Sequence, residues 1–314
     1  MDMKLLEDFL SLSDLRNFSR AAEARNITQS TLSKRIRALE HWVGAALVDR
    51  STYPIDLTPE GAAMVPQARE IVARFHGMRT GVRAVALVDR NIVRVAALHT
   101  LRVAYLPQWR REVERTLGPL HLGNPGSCSA YAQTLRQFRN GENDLLLTYA
   151  HPSVATGLDP ARYETLTLRH DRLVPVSAPA EDGRALHHLD AGGVVQFLSY
   201  GTASFFAQAL APLLNARPRA LNVVATNAMS IGLQSLAEVG GGLAWIPEVL
   251  VADHLADGRL VMAGGPDWTL DLTVQLIRAR GPARGVVQRV WDASRALAAA
   301  GDTVIPLRAR GQAG

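Results

Sequence analysis

The sequence predicts a mainly α N-terminal winged helix-turn-helix, a long linker helix, and a C-terminal α/β domain large enough for two lobes. Three observations carry this reading. Two helical stretches near the N-terminus are joined by very few residues. A helical run after Thr58 repeats apolar residues at spacings of three and four, and strand-like and helix-like stretches alternate from Ile92 onward.

Composition sets the frame. With 47% hydrophobic and 20% charged residues, the 314-residue chain is expected to fold, and its length allows two or three domains. A formal charge of +5 suits a polyanionic partner without establishing one. Cys128 is the only cysteine, which excludes an internal disulfide, a cysteine-built metal cluster and a two-cysteine redox switch. The first turns, Met1 to Asp8, lack the apolar core of a secretory signal, and no apolar run reaches the length of a membrane span. A cytoplasmic protein without membrane contact is expected.

Leu5, Leu6, Phe9, Leu10 and Leu12 give a first helix its apolar face. A short second helix follows at Asn17 to Glu23, with Ser19 as the expected N-cap and Asn26 able to end it in a left-handed conformation. Thr28 caps a third helix, on which Leu32, Ile36 and Leu39 form one stripe. Winding at about 100° per residue puts Ser30, Ser33, Lys34, Arg37 and His41 on the opposite face, with Gln29 and Thr31 near the helix start. Lysine and arginine neutralise phosphates, while amide, hydroxyl and guanidinium groups read base edges. A solvated amphipathic helix alone would look similar; the tight turn before it and the wing after it favour DNA. After Gly44 ends the third helix, Leu47-Val48-Asp49 and Ile55-Asp56-Leu57 read as the two strands of that wing, turned at Tyr53-Pro54. Arg50 and Thr52 at its edge could touch phosphates, and a salt bridge to a neighbouring acid explains Arg50 equally well.

These motifs resemble the LysR-type transcriptional regulators. The likeness rests on Phe18-Ser19-Arg20-Ala21-Ala22, on the run Thr28 to Glu40, on Leu47-Val48-Asp49-Arg50, and on Leu57-Thr58-Pro59-Glu60-Gly61. Ser30 stands where many members carry proline, and Val48 where an aromatic often follows the leucine. The resemblance implies double-stranded operator DNA as a partner and leaves contact with RNA polymerase open.

Thr58 and Pro59 open the linker helix, with Glu60 in its first turn and Pro66 positioned to kink it. Ala68, Ile71, Phe75, Met78, Val82 and Val85 then form a seam with the period of a two-stranded coiled coil. A helix packed on its own domain could show the same spacing, but its place between two domains favours a homodimer. The LysR resemblance implies the same pairing, often doubled to a tetramer.

The strand candidates of the C-terminal part are Ile92–Ala97, Asp144–Leu147, Leu173–Val176, Val194–Leu198, Leu221–Ala225 and Leu243–Ile246. Helical stretches lie at Ala104–Leu117, Ala130–Asn140, Thr202–Leu214 and Met229–Val239, so mainly parallel strands are expected. The family resemblance implies a sensor like a periplasmic binding protein, with two lobes crossed twice, near Glu164–Leu168 and Trp268–Leu272. Loops after strands would then line a cleft between the lobes. They offer His99, Thr100 and Leu101; Tyr149 and His151; Ser199, Tyr200 and Thr202; and Asn227 and Met229. Hydroxyls and free N–H groups at helix starts suit a small anion. A structural hydrogen bond accounts for His99 or His151 singly; the four loops together predict a pocket. The expected boundaries are 1–58 for the DNA-binding domain, 59–89 for the linker helix, 90–302 for the sensor and 303–314 for a frayed tail. Within the sensor, lobe I takes about 90–165 and 268–302, and lobe II about 166–267.

A narrower resemblance, to the hypochlorite-responsive branch of the family, rests on Arg16-Asn17-Phe18-Ser19, Arg35 to Glu40, Ala96 to Leu101 and Gly242 to Glu248. It implies methionine oxidation as a signal. Met229 falls in the matching stretch, yet neither the Ser199–Thr202 loop nor the helix containing Trp109 carries a methionine, and a pocket-lining role explains Met229 without redox chemistry.

Two rival classes are weighed. An enzyme would need a motif that is missing: there is no nucleophile elbow, Walker loop or dinucleotide-binding glycine fingerprint. Gly240-Gly241-Gly242 precedes a strand, the wrong order for a phosphate cradle, and His187-His188 lacks a nearby third ligand. No cofactor or metal is expected. A solute-binding protein would explain the C-terminal part but not a DNA-binding N-terminus.

Overall fold

The computed structural model describes residues 2–51, 54–85, 92–123 and 131–300. Thr52, Tyr53, Cys128 and the expected tail lie outside the described residues. The chain divides into two compact units, Met1–Val85 and Ala86–Gly314.

In the first unit α1 (Met3–Leu15), α2 (Phe18–Ala24) and α3 (Gln29–Val43) precede β1 (Val48–Asp49), β2 (Asp56–Leu57) and α4 (Pro59–Val85). The stripe Leu32, Ile36 and Leu39 is fully buried against Leu6, Phe9, Leu12 and the small faces of Ala21 and Ala22. Each such side chain gains about 1.5–3 kcal/mol from leaving water. Asn17, not Ser19, caps α2: its backbone is extended, and its side chain accepts from the Arg20 N–H at 3.0 Å, whereas Ser19 already lies inside the helix. Asn26 takes the left-handed conformation, at φ 54°. Thr28 caps α3 through the Thr31 N–H, and Gly44, at φ 81°, ends it.

Two interactions fix this unit's geometry. Asp8, buried on α1, receives Arg25 at 2.7 Å and Arg35 of α3 at 3.0 Å, so one carboxylate ties α1 to both sides of the tight turn. Burial opposes the charge of Arg25, but hydrogen bonds to Asp8 and Glu7 outweigh it and raise its pKa. Gly61 lets α4 pass directly over the wing: a Cβ there would stand 2.0 Å from the Leu47 carbonyl oxygen.

Helix α4 runs through Pro66 without ending. Ala68 departs from the expected seam: with Val72 it is buried in the unit's own core, because these two face back toward α1. Ile71, Phe75 and Met78 are exposed, Met78 by 60%. The side chains of Val82 and Val85 lie outside the described residues.

The second unit contains β3 (Ile92–Ala97), α5 (His99–Ala104), α6 (Leu106–Leu117), β4 (His121–Gly123), α7 (Tyr131–Arg139), β5 (Leu145–Ala150) and β6 (Tyr163–Ser177). Then come β7 (Val195–Ser199), α8 (Phe205–Ala216), β8 (Leu221–Thr226), α9 (Ser230–Glu238), β9 (Ala244–Pro247), α10 (Glu248–Ala256), β10 (Val261–Met262), β11 (Leu270–Ala279) and α11 (Gly285–Ala300). The larger sheet runs β10-β6-β11-β5-β3-β4, with β9 also on β6, and β7 and β8 form a separate pair. This is a two-lobed α/β fold. The long strands β6 and β11 carry the chain between lobes and back, so they pair antiparallel along their length. That corrects the expectation of mainly parallel strands: among the described strands parallel ladders join only β3 with β4 and β5, and β7 with β8. A strand that leaves and a strand that returns must run in opposite directions.

Candidate DNA-reading face and interlobe cleft

On α3 the cap is itself a hydroxyl cluster: Thr28 Oγ1 lies 3.0 Å from Ser30 Oγ and 2.8 Å from Thr31 Oγ1. Gln29, Ser30, Lys34 and Arg37 are exposed, while Thr31 and Ser33 are half-buried. Gln29 Oε1 meets the Ser19 hydroxyl at 3.3 Å, which joins the start of α3 to α2. Among the described residues, Lys34 and Arg37 form no ion pair, in contrast to Arg35, which is spent on Asp8. Arg50 is engaged with Glu40 at 2.8 Å and lies 5.8 Å from the centre of the Phe18 ring. Glu40 also accepts from the Leu47 and Val48 N–H groups, so this carboxylate and Arg50 hold the first wing strand to α3.

In the second unit a chain of buried hydroxyls bridges the two lobes. Thr100 Oγ1 on α5 lies 2.9 Å from Ser230 Oγ at the start of α9, and the Tyr200 hydroxyl donates to the same Ser230 oxygen at 2.8 Å. Beside it Tyr149 packs on Phe205 and Phe206, with ring centres 6.1 and 5.4 Å apart, and Phe206 meets Tyr200 at 5.0 Å. Thr100 and Tyr200 are thus already satisfied by Ser230, Tyr149 is buried against the two phenylalanines, and Leu101 is core.

Four other predicted residues lie less deeply. Asn227 accepts from the Met229 N–H at 2.9 Å and sits against Gly232, where a Cβ would meet its amide at 2.2 Å. Ser199 accepts the Asn227 N–H on its carbonyl at 3.0 Å, which joins the ends of β7 and β8. Met229 is half-buried at the N-cap of α9, and Thr202 is exposed. Of the histidines, His151 turns back on its own loop, accepting from the Ser153 N–H at 3.2 Å, and burial lowers its pKa. His99 is half-buried, with its Nδ1 atom buried and unpartnered.

Sequence reasoning did not single out Ser230, Phe205, Phe206 or Asp171. Asp171, buried in β6, accepts the Tyr149 hydroxyl at 2.7 Å and the Val249 N–H at the start of α10 at 3.3 Å. Burial raises its pKa, against the opposing pull of that tyrosine and of backbone N–H donors. Next to it Arg172 holds Glu248 at 2.5 and 2.8 Å. Tyr149, the crossing strand and α10 are thereby joined at the point where the lobes meet.

Comparison with known proteins agrees with this geometry. Residues 3–62 match the model of the bacterial regulatory helix-turn-helix protein, lysR family, and residues 88–299 match that of the LysR substrate binding domain. The HTH-type transcriptional regulator YjiE of Escherichia coli K12 is 26% identical over 298 residues, covering 95% of each chain. The structure of Vibrio fischeri DarR in complex with DNA is similar at a TM-score of 0.58 and 28% identity, covering 94% of this chain and 98% of that one. Full-length HypT of Salmonella typhimurium, a hypochlorite-specific LysR-type transcriptional regulator, is similar at 0.58 and 27%, covering 96% and 99%. Among the described residues no helix is long and apolar enough to cross a membrane. With a helix-turn-helix module at one end, a two-lobed α/β domain at the other and both family models matched, the chain belongs to the LysR family and is a DNA-binding transcriptional regulator with an effector-binding domain.

Proposed function

We propose that this regulator binds operator DNA as a homodimer, itself able to double to a tetramer, acts in the cytoplasm without catalysis, and is switched at the interlobe cleft. The observation that carries the DNA half is the exposed face of α3: a hydroxyl and amide cluster at its start, followed by the cations Lys34 and Arg37, which form no ion pair among the described residues. Hydroxyl and amide groups at the leading end reach base edges, and the cations neutralise phosphates. Arg50, clamped by Glu40, serves the wing's geometry first. The exposed Ile71, Phe75 and Met78 on α4 supply the pairing surface, and a dimer presents two α3 helices to two half-sites.

For the signal, the half-buried rim formed by His99, Ser199, Asn227 and Met229, with Thr202 beside it, is the place a small anion would enter. Its unpartnered His99 nitrogen and its hydroxyls and amide favour that reading. The likeness to hypochlorite-specific HypT supports an oxidant as the second reading, with Met229 as the target. Footprinting of the full-length protein on DNA upstream of its own gene, at two salt concentrations, tests the first half. Salt-sensitive protection of two half-sites is expected. Repeating it with Met229→Leu and hypochlorite separates the two signals, since an oxidant response that survives the substitution excludes Met229.

A further inference from the structure

We propose that lobe I carries a slot for one aromatic ring, that Phe205 of lobe II fills this slot, and that a small aromatic molecule is the ligand able to take its place. The proposal rests on the reading of the interlobe cleft as the switch and names the chemistry of what enters there. Phe205 opens α8, which lies between β7 and β8, yet two of its three ring partners among the described residues stand on the other lobe. Tyr131, at the start of α7, meets it edge-on with ring centres 5.4 Å apart, and Tyr149 of β5 lies 6.1 Å away, tilted by only 28°. The third partner is its neighbour Phe206, at 5.5 Å. All four rings are buried.

The wall of the slot is fixed, whereas its occupant stands at the end of a loop. Tyr149 gives its hydroxyl to Asp171 in the crossing strand, at 2.7 Å, which holds the ring in place and leaves its face to Phe205. Aromatic rings at these separations attract one another through face and edge beyond the area they bury, so the slot prefers an aromatic ring to a saturated one of the same size. Phe205 has no polar side-chain atom, lies one residue past the N-cap Ser204, and follows the exposed Thr202 and Ala203. Its withdrawal costs the first turn of α8, whose leading N–H groups have no partner within the helix, and leaves β7 and β8 paired. Phe206 differs, because it also packs on Tyr200 within lobe II, at 5.0 Å. A ring tethered beside its slot lowers the apparent affinity of an external ring in proportion to the time the slot is filled.

The test is hydrogen exchange of the full-length Phe205→Ala variant, read by mass spectrometry during titration with benzyl alcohol and, as the saturated counterpart, cyclohexylmethanol. Without either, α5, α7 and α9, which carry Thr100, Tyr131 and Ser230 at the lobe contact, should lose protection while β7 and β8 keep theirs. Benzyl alcohol should restore that protection at concentrations about tenfold below those cyclohexylmethanol needs. In the wild type it should speed exchange at the start of α8, as Phe205 is displaced, at concentrations at least about tenfold higher. No restoration, equal potency of the two alcohols, loss of protection that spreads into β7 and β8, or no change in wild-type α8 up to the solubility limit overturns the proposal. Phe205→Leu serves where the alanine variant does not fold: it should lose protection in the same three helices, and wild-type protection there overturns the proposal as well. Footprinting of the alanine variant with and without benzyl alcohol separates the slot from the switch, since restored exchange with an unmoved footprint keeps the slot and refutes the cleft as the switch.

Discussion

Replacing Ser230 by alanine should loosen the two lobes from each other without disturbing the DNA-binding unit. The serine oxygen meets Thr100 at 2.9 Å and accepts from Tyr200 at 2.8 Å, and all three side chains are buried. Alanine strands two hydroxyls. Each buried hydroxyl left without a partner costs about 1–3 kcal/mol, and separation of the lobes rehydrates both, so the penalty falls on the closed arrangement. Allowing for relaxation around the smaller side chain, the opening equilibrium should shift by about 2–3 kcal/mol, roughly 30- to 150-fold. Hydrogen exchange of the full-length protein, read by mass spectrometry, reports such openings helix by helix. Amides of α5 and α9 should lose one to two decades of protection while those of α1–α3 keep theirs. Tyr200→Phe removes one donor and leaves the Thr100–Ser230 bond, so its effect should be smaller. Wild-type exchange in α5 and α9 of the Ser230→Ala variant would show that the hydroxyl chain does not hold the lobes together.

Three further outcomes are expected. Arg37→Ala should weaken operator binding and reduce the slope of log affinity against log salt by about 0.9; fluorescence anisotropy over a salt series measures it, and an unchanged slope removes Arg37 from the phosphate contacts. Gly61→Ala should destabilise the N-terminal unit by about 1–3 kcal/mol, since the new methyl collides with backbone rather than a yielding side chain; an unaltered melting transition of that unit would mean that α4 can simply step aside. Asp171 has a raised folded-state pKa, so its contribution to stability is fully present below the unfolded carboxylate value and is lost as pH rises through the folded one. Asp171→Asn, which cannot ionise, should therefore gain on the wild type as pH rises from about 4 toward neutrality. Urea midpoints of the C-terminal transition at several pH values give the difference, and a gain that shrinks with rising pH contradicts the sign.

Local chemistry made the N-terminal unit legible. Thr28, Gly44 and Asn26 announce helix ends through their own conformational preferences, and the Leu32–Ile36–Leu39 stripe needs only helical winding to be read. The cap of α2 was harder because Asn17 and Ser19 are both good caps, and only the backbone decides between them. Ala68 shows the limit of periodicity: the spacing that marks a dimer seam also fits a helix packed on its own domain, and on α4 Ala68 and Val72 are core while Ile71, Phe75 and Met78 are exposed. The strands β6 and β11 escaped in part because the middle of β6, Arg169-His170-Asp171-Arg172, is charged where a core strand would be apolar. Helix α11 had a readable signal in Val286, Val290 and Trp291, which recur on one buried face.

The cleft was legible only as a set of loops, and the reason is the distance in sequence between its partners. Thr100 and Ser230 lie 130 residues apart, and Tyr149 meets an aspartate 22 residues further on, in the crossing strand. Nothing local marks a serine at a helix start as the acceptor of a tyrosine from another strand. The fold that brings them together also explains why those residues matter: Tyr149 reaches from β5 to Asp171, and Asp171 in turn holds the start of α10 through Val249. A change at the lobe contact thus meets a hydrogen-bonded path that ends on a helix, whereas the rim residues Thr202 and Met229 are held by no such path. Residues of the first kind should set how readily the lobes part, and residues of the second kind should set what is admitted between them.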